Sequence, residues 1–339
     1  MERNLSERFF RPGCEFLGCG VPFLCGAMTW ISDAKLVAAV CNAGGFGCLA
    51  GGNAPTAILE DEIRKTRDLT DRPFGVNLIT IAPAYRDHLS LIERLSVPYI
   101  IFAGSFPKEG EVQLAKQTGA KTLCFASTLS IARRMVRYGA DALILEGMEA
   151  GGHVGHVSLT VLLQQVLFQF ADVPIFVGGG IATGRMCAHL FLMGAAGVQL
   201  GTRFAMAEES CAHQAMKRSF SRANARDAVS TPQFDSRLPV VAVRALRNRG
   251  HDAFKKLQLE LIGKLDRNEI SRETAQIEVE KYWMGALRRA VMEGDVEHGS
   301  PMAGQSVGLI EKVQPVADII EELKADTETE LRRMQSVLR

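Results

Sequence analysis

Apolar and polar positions repeat in a regular rhythm along roughly the first 200 residues of the chain. Short apolar runs stand at Val21 to Cys25, Phe46 to Leu49, Phe74 to Ile79, Tyr99 to Phe102, Thr122 to Phe125, Ala142 to Leu145, Ile175 to Val177 and Val198 to Leu200. Between them lie segments of helical length and mostly helical apolar spacing, at 33–42, 56–67, 85–95, 109–118, 129–138, 159–170 and 184–193. Runs that read as buried on both faces and alternate with helices predict parallel strands joined by right-handed crossovers. Eight such units are the number that closes a TIM (β/α)8 barrel. An open doubly wound sheet needs fewer strands and carries a Gly-x-Gly-x-x-Gly turn after the first, which is missing here.

From about Arg203 the rhythm changes. Lys217 to Arg226 is polar and basic, Pro232 to Arg237 reads as loop, and Asp252 to Glu293 holds long charged helical runs without a strand candidate. The expected organisation is therefore an α/β barrel over 1–205, a helical substrate or cap domain over 206–300, and a return to the barrel with a C-terminal helix over 301–339.

Composition narrows the partners. Lys plus Arg at 39 nearly balances Asp plus Glu at 38 in 339 residues, so no overall field points to nucleic acid or an anionic membrane, and a small ligand is expected. The eight cysteines contain no CxxC pair and read as reduced, mostly buried thiols of a cytoplasmic protein, with no metal site. Met1 to Arg8 carries no apolar leader segment, and no apolar run reaches the length of a membrane span.

Candidate chemistry gathers where the strands end. Small or polar residues follow each run: Gly26-Ala27-Met28, Gly51-Gly52-Asn53, Asn77, Gly104-Ser105, Ser127, Glu146 to His153, Gly178-Gly179-Gly180 and Gly201-Thr202. In a barrel of this kind the active site occupies that rim. Glycines after the seventh and eighth strands leave main-chain N–H groups free for a phosphate, and Thr202 adds a hydroxyl. Asn77 both donates and accepts, as the edge of a planar heteroaromatic ring requires; Met28 offers a soft thioether beside it. Glycines at 147, 151, 152 and 155 surround His153, an imidazole that titrates near neutral pH and is the candidate proton carrier. Ser158 is a candidate N-cap for the helix that follows, and His156 a candidate cap for the same helix. Glu146 and Glu149 lack the third group or metal of a hydrolase and read as acceptors for the loop's own amides. A sugar-phosphate isomerase or aldolase barrel would need a lysine or carboxylate at a strand end facing the phosphate; Lys121 stands at the wrong end of its strand.

The phrase Glu146-Gly-Met-Glu-Ala-Gly-Gly-His153, together with Gly26-Ala-Met28, Pro73-Phe-Gly-Val-Asn77, Gly178-Gly-Gly-Ile181, Gly201-Thr-Arg203 and Met302-Ala-Gly-Gln305, resembles the nitronate monooxygenase (2-nitropropane dioxygenase-like) family, which includes the flavin-dependent enoyl-acyl-carrier-protein reductase II. The resemblance implies an FMN-binding barrel with NADH or NADPH as electron donor. Gly26, Ala27, Met28, Asn77, Glu146, Ala150, Gly151, Gly178, Gly179, Gly180, Gly201 and Thr202 would contact the cofactor, and His153 would face the substrate. It also implies a small-molecule or acyl-thioester substrate, acyl carrier protein as its carrier, and a homodimer. Two chemistries share that scaffold: hydride delivery to an enoyl thioester, and oxidation of an alkyl nitronate with oxygen. Val154 after the histidine, where nitronate-oxidising relatives commonly carry Arg, favours the reductase, as do Ser158-Leu-Thr160 and Met302-Ala-Gly-Gln305; His156 stands where reductases often have lysine, and Phe102 to Pro107 departs from both patterns.

Overall fold

The computed structural model describes residues 5–52, 54–104, 106–238 and 241–337; Asn53 and Ser105, two of the rim residues named above, lie outside them. Every predicted strand of the repeating region forms. In chain order these are β1 (Phe23–Cys25), β2 (Phe46–Leu49), β3 (Gly75–Leu78), β4 (Tyr99–Phe102), β5 (Lys121–Ala126) and β6 (Ala142–Glu146), then, after a two-residue strand β7 (Gly152–His153), β8 (Ile175–Gly178) and β9 (Gly197–Leu200). All but β7 close a parallel barrel in the order β1-β2-β3-β4-β5-β6-β8-β9. Three of the crossover helices start on caps that the sequence supplies: Asp33, Thr128 and Thr183 accept the N–H groups of Leu36, Ile131 and Met186.

The chain beyond the barrel strands departs from the sequence reading in several places. Two further strands, β10 (Ala228–Ser230) and β11 (Val243–Leu246), join β7 in a small antiparallel sheet of order β10-β11-β7. Runs of three and four residues are too short for a period to show. The helix expected over 159–170 stops at Val166, and Ser158 occupies the N-cap position without capping a helix N–H, its hydroxyl lying 3.4 Å from that of Thr160. The Glu149 carboxylate takes that role, accepting the Leu159 N–H at 3.0 Å, because an anion is a stronger acceptor at a helix N-terminus than a hydroxyl. His156 is exposed and caps nothing among the described residues. Cys211 is exposed rather than buried, and all eight cysteines are free.

The barrel's interior follows from strand alternation. Leu24, Phe46, Cys48, Tyr99, Ile101, Leu123, Ala142, Ile144 and Phe176 form one fully apolar cluster, whereas Cys25, Leu49, Val76, Cys124, Leu143, Leu145, Val177 and Val198, one residue out of phase, pack in the cluster shared with the helices. The first set is the plug, and the second faces the helix ring. The helix Leu5–Leu17 covers the N-terminal end of the plug: Phe16 lies against Tyr99 and Phe176, and its carbonyl accepts the Tyr99 hydroxyl at 2.7 Å. Ligands therefore reach the barrel from the C-terminal ends of the strands.

His88, on the helix Tyr85–Arg94, is fully buried; its Nε2 lies 2.9 Å from the Ala54 carbonyl just after β2, while its Nδ1 has no partner among the described residues. Burial pushes its pKa below the ordinary histidine value, and the same holds for His251. The unfolded chain thus takes up more protons than the folded one as pH falls through about 6.5, so each group subtracts stability on acidification, by up to about 1.4 kcal/mol per pH unit. Between pH 7 and 5.5 the melting temperature of His88→Gln is expected to fall less than that of the wild type, measured by circular dichroism in the same buffers. Equal slopes would remove His88 from the acid response.

Candidate active site at the barrel mouth

One step up from the apolar plug, the inward positions change character on five of the eight strands, while Phe125 continues the apolar row on β5. Leu24 is followed by Gly26, Ile144 by Glu146 and Phe176 by Gly178; Gly75 and Gly197, whose backbones lie against Ile101 and Phe176, are followed by Asn77 and Gln199. The mouth is thus floored by three polar side chains, Asn77, Glu146 and Gln199, separated by glycines. Asn77 is buried and donates to the Ile101 carbonyl at 3.0 Å. Glu146 and Gln199 stand either side of Gly178 in register. Gln199 fills part of the gap: its Nε2 lies 3.2 Å from where a Cβ on Gly26 would sit and 3.6 Å from one on Gly178. Sequence reasoning missed Gln199, although a lone polar residue inside Val198-Gln-Leu200 was a readable signal.

The β1 turn is held in shape by Ser32, whose hydroxyl donates to the Gly26 carbonyl at 2.8 Å and accepts the Met28 N–H at 3.0 Å. Ala27 packs against the barrel plug, and the Met28 sulfur lies 3.7 Å from where a Cβ of Gly201 would be. So the ends of β1 and β9 meet around Met28. At the end of β8, Gly179 and Gly180 take φ of 99° and 73°, a region open to glycine but costly for other residues. Among the described residues no acceptor serves the main-chain N–H groups of Gly179, Gly180 or Thr202. Unsatisfied amides on two adjacent strand ends suit a phosphate, and in this respect the residues fit a flavin mononucleotide.

The histidine loop is clamped from outside the barrel. β7 pairs with β11, Val243 opposite His153 and Arg244 opposite Gly152, and the Val154 N–H donates to the Ala242 carbonyl at 2.9 Å. Arg244 is buried; its Nε donates to the Met148 carbonyl at 3.1 Å and its Nη1 to the Ala228 carbonyl at 2.6 Å. On the other side the return segment closes in. Gln305 N–H donates to the Glu149 carbonyl at 2.9 Å, Gly304 N–H to the Thr202 hydroxyl at 3.0 Å, and a Cβ on Gly151 would stand 2.6 Å from Gly304 N. Ala150 packs with Val154 and Ala242. Ala150 and Gly151, expected at the cofactor, are thus also where the loop meets the cap and the return segment. Thr202 keeps its hydroxyl proton to donate while accepting from Gly304.

The electrostatics set two side chains apart. His153 is open to solvent in the cleft, yet the surrounding protein pushes its pKa below the ordinary histidine value, against the opposing field of Glu280 on the cap helix Arg272–Arg288. Burial pushes the Glu146 carboxyl up to about 8, with no charged neighbour contributing. Among the described residues no group of histidine, cysteine, aspartate and glutamate is arranged to hold a metal ion, and no helix is long and apolar enough to cross a membrane.

Fold and site together define a barrel enzyme with a glycine-lined, polar-floored mouth and a histidine loop paired to the strand β11. The chain belongs to the nitronate monooxygenase family, whose profile matches residues 14–95 and 80–326, and it is an oxidoreductase. A Mycobacterium tuberculosis protein, (3aS,4S,5R,7aS)-5-hydroxy-7a-methyl-1-oxo-octahydro-1H-indene-4-carboxyl-CoA dehydrogenase, is 30% identical, the alignment covering 98% of this chain and 99% of that protein. FabK from Thermotoga maritima superposes with a TM-score of 0.84 at 35% identity, covering 96% of this chain and 98% of its own. A nitroalkane oxidase from Streptomyces ansochromogenes gives a TM-score of 0.78 at 26% identity, covering 96% and 100%.

Proposed function

We propose that this protein is an FMN-dependent reductase of an α,β-unsaturated acyl thioester that draws its electrons from NADH or NADPH. The observation that carries this reading is the charge around His153. The next residue, Val154, is buried and apolar; the nearby cation, Arg244, is spent on two main-chain carbonyls; and the field that reaches the imidazole is that of the Glu280 carboxylate. An anionic nitronate would meet that carboxylate, whereas a neutral thioester would not. The likeness to a carboxyl-CoA dehydrogenase along its full length adds support for a thioester.

When bound, FMN would supply hydride to the β-carbon of the acyl group, and a proton drawn from solvent would complete the reduction at the α-carbon. The residues of this chain orient and polarise. Amides of Gly179, Gly180 and Thr202 hold the phosphate, Asn77 and the Gly26 to Met28 turn hold the ring, and His153, neutral near pH 7, donates an N–H to the thioester carbonyl, where negative charge develops. A homodimer and a carrier-bound substrate, on acyl carrier protein or coenzyme A, belong to the same proposal.

Oxidation of alkyl nitronates is the second reading, favoured by the likeness to the Streptomyces nitroalkane oxidase. Anaerobic stopped-flow mixing of the yellow enzyme with NADH, NADPH and a propyl nitronate separates the two. Rapid bleaching by a nicotinamide nucleotide, followed by reoxidation with an enoyl thioester, is the expected result. Rapid bleaching by the nitronate alongside slow bleaching by both nucleotides would overturn it.

A further inference from the structure

The helix Leu5–Leu17, at the end of the barrel away from the mouth, finishes on a pair of thiols. Gly18 takes φ of 67°, and the N–H groups of Gly18 and Cys19 both turn back to the Cys14 carbonyl, at 2.8 and 3.3 Å. A left-handed glycine that closes a helix in this way lays the side chain just past it against the one five positions earlier. Those two side chains are Cys19 and Cys14, and their sulfurs share a hydrogen bond. Both are half-buried, and Cys14 lines a surface cleft together with Arg11, Val21 and Lys324, where small solutes reach it. The neighbouring Cys41 differs: it is fully buried and engaged, accepting the Gly47 N–H at 3.3 Å and donating to the Pro73 carbonyl at 3.5 Å.

We propose that Cys14 and Cys19 form a redox-active dithiol whose substrate is hydrogen peroxide. Cys14 is the attacking sulfur, because the Cys19 S–H can donate to its thiolate; the same bond holds the Cys14 pKa below the ordinary thiol value and raises that of Cys19. The Cys14 thiolate attacks one peroxide oxygen, the O–O bond breaks, and the departing hydroxide takes up the proton Cys14 has lost and leaves as water. Cys14 is then a sulfenic acid. Cys19 gives up its proton and attacks the sulfenic sulfur; the S–O bond breaks, and the hydroxide and that proton leave as a second water. Two electrons have passed from two thiols to the peroxide, and a disulfide remains. The main chains of the two residues are already hydrogen-bonded, so no segment has to travel to bring the sulfurs together. The bridge spans Phe16, the ring that lies on Tyr99 and Phe176, and oxidation thereby staples the cover of the barrel plug.

The test is treatment of the reduced full-length protein with hydrogen peroxide, in a Cys211→Ser background so that the exposed thiol stays out of the count, then alkylation in denaturant and mass spectrometry. The expected result is the loss of two thiols together. Digestion after glutamate cuts at Glu15, between the two cysteines, and should release their peptides joined until dithiothreitol parts them. In Cys19→Ser the reaction should stop at a sulfenic acid on Cys14 that dimedone traps, and in Cys14→Ser the Cys19 thiol should survive. Survival of both thiols in excess peroxide, a bridge to any other cysteine, or independent oxidation of Cys19 in Cys14→Ser would each overturn the proposal. A second readout needs neither variant of the pair: the oxidised protein should melt about 2–5 °C above the reduced one, since the bridge restricts the unfolded chain. Equal melting temperatures would overturn the staple.

Discussion

Alanine in place of His153 is expected to lower kcat on the thioester by about 10²-fold or more while leaving one FMN bound per chain. The imidazole is held by main-chain pairing of β7 with β11, so its side chain carries no structural bond that the substitution would break. It is open to solvent, and its loss leaves no cavity in the core. Nor does it belong to the row of inward residues that floors the mouth, which is why the cofactor should stay. The checking measurements are steady-state kinetics together with flavin absorbance per mole of protein. An unchanged kcat would remove His153 from the chemistry, and loss of colour would make it a cofactor ligand instead.

Gly179→Ala is expected to raise the Kd for FMN by at least about 100-fold. Two costs combine. The backbone sits at φ 99°, where a side chain adds about 1–2 kcal/mol of strain. The new Cβ would also stand 2.8 Å from the Gly147 carbonyl oxygen and 2.9 Å from its nitrogen, so either the turn after β8 or the loop after β6 must move. Both lie at the mouth, and free amides displaced by a few tenths of an ångström no longer converge on one phosphate. Gly194→Ala is the matched control. It has φ 104° and no atom within 4 Å of the added methyl, and should lose about a kcal/mol of stability yet bind FMN normally. Equal FMN affinity in Gly179→Ala and wild type would show that the turn after β8 does not hold the phosphate.

The barrel was legible because burial on both faces turns each strand into an apolar run, and because helices of ordinary length separate them. The candidate mouth was legible for a related reason: glycine clusters such as Gly178-Gly-Gly180 are too dense for packing alone. What escaped was made by long-range contact. Arg244 sits in a four-residue strand and works by reaching the Met148 carbonyl, 96 positions away, which no local period encodes. Glu149 displaced Ser158 as helix cap because the loop folds back, a fact visible only once the loop has a shape. Gln199 differs from its strand by one polar letter, and its inward aim became evident only when the phase of every strand was fixed by its neighbours. The cap strands were hidden by their brevity, and β7, at two residues, exists as a strand only through its partner.

The clamp around the histidine loop also orders events during synthesis. All barrel strands have left the ribosome by Leu200, but the segments that pin the loop, at 242–244 and 303–305, emerge later. A nascent chain halted between Leu200 and Ala242 would carry all the barrel strands with the His153 loop still unpaired. The onset of turnover therefore waits on those two late segments, although every residue assigned to the phosphate and the ring has been made by Thr202.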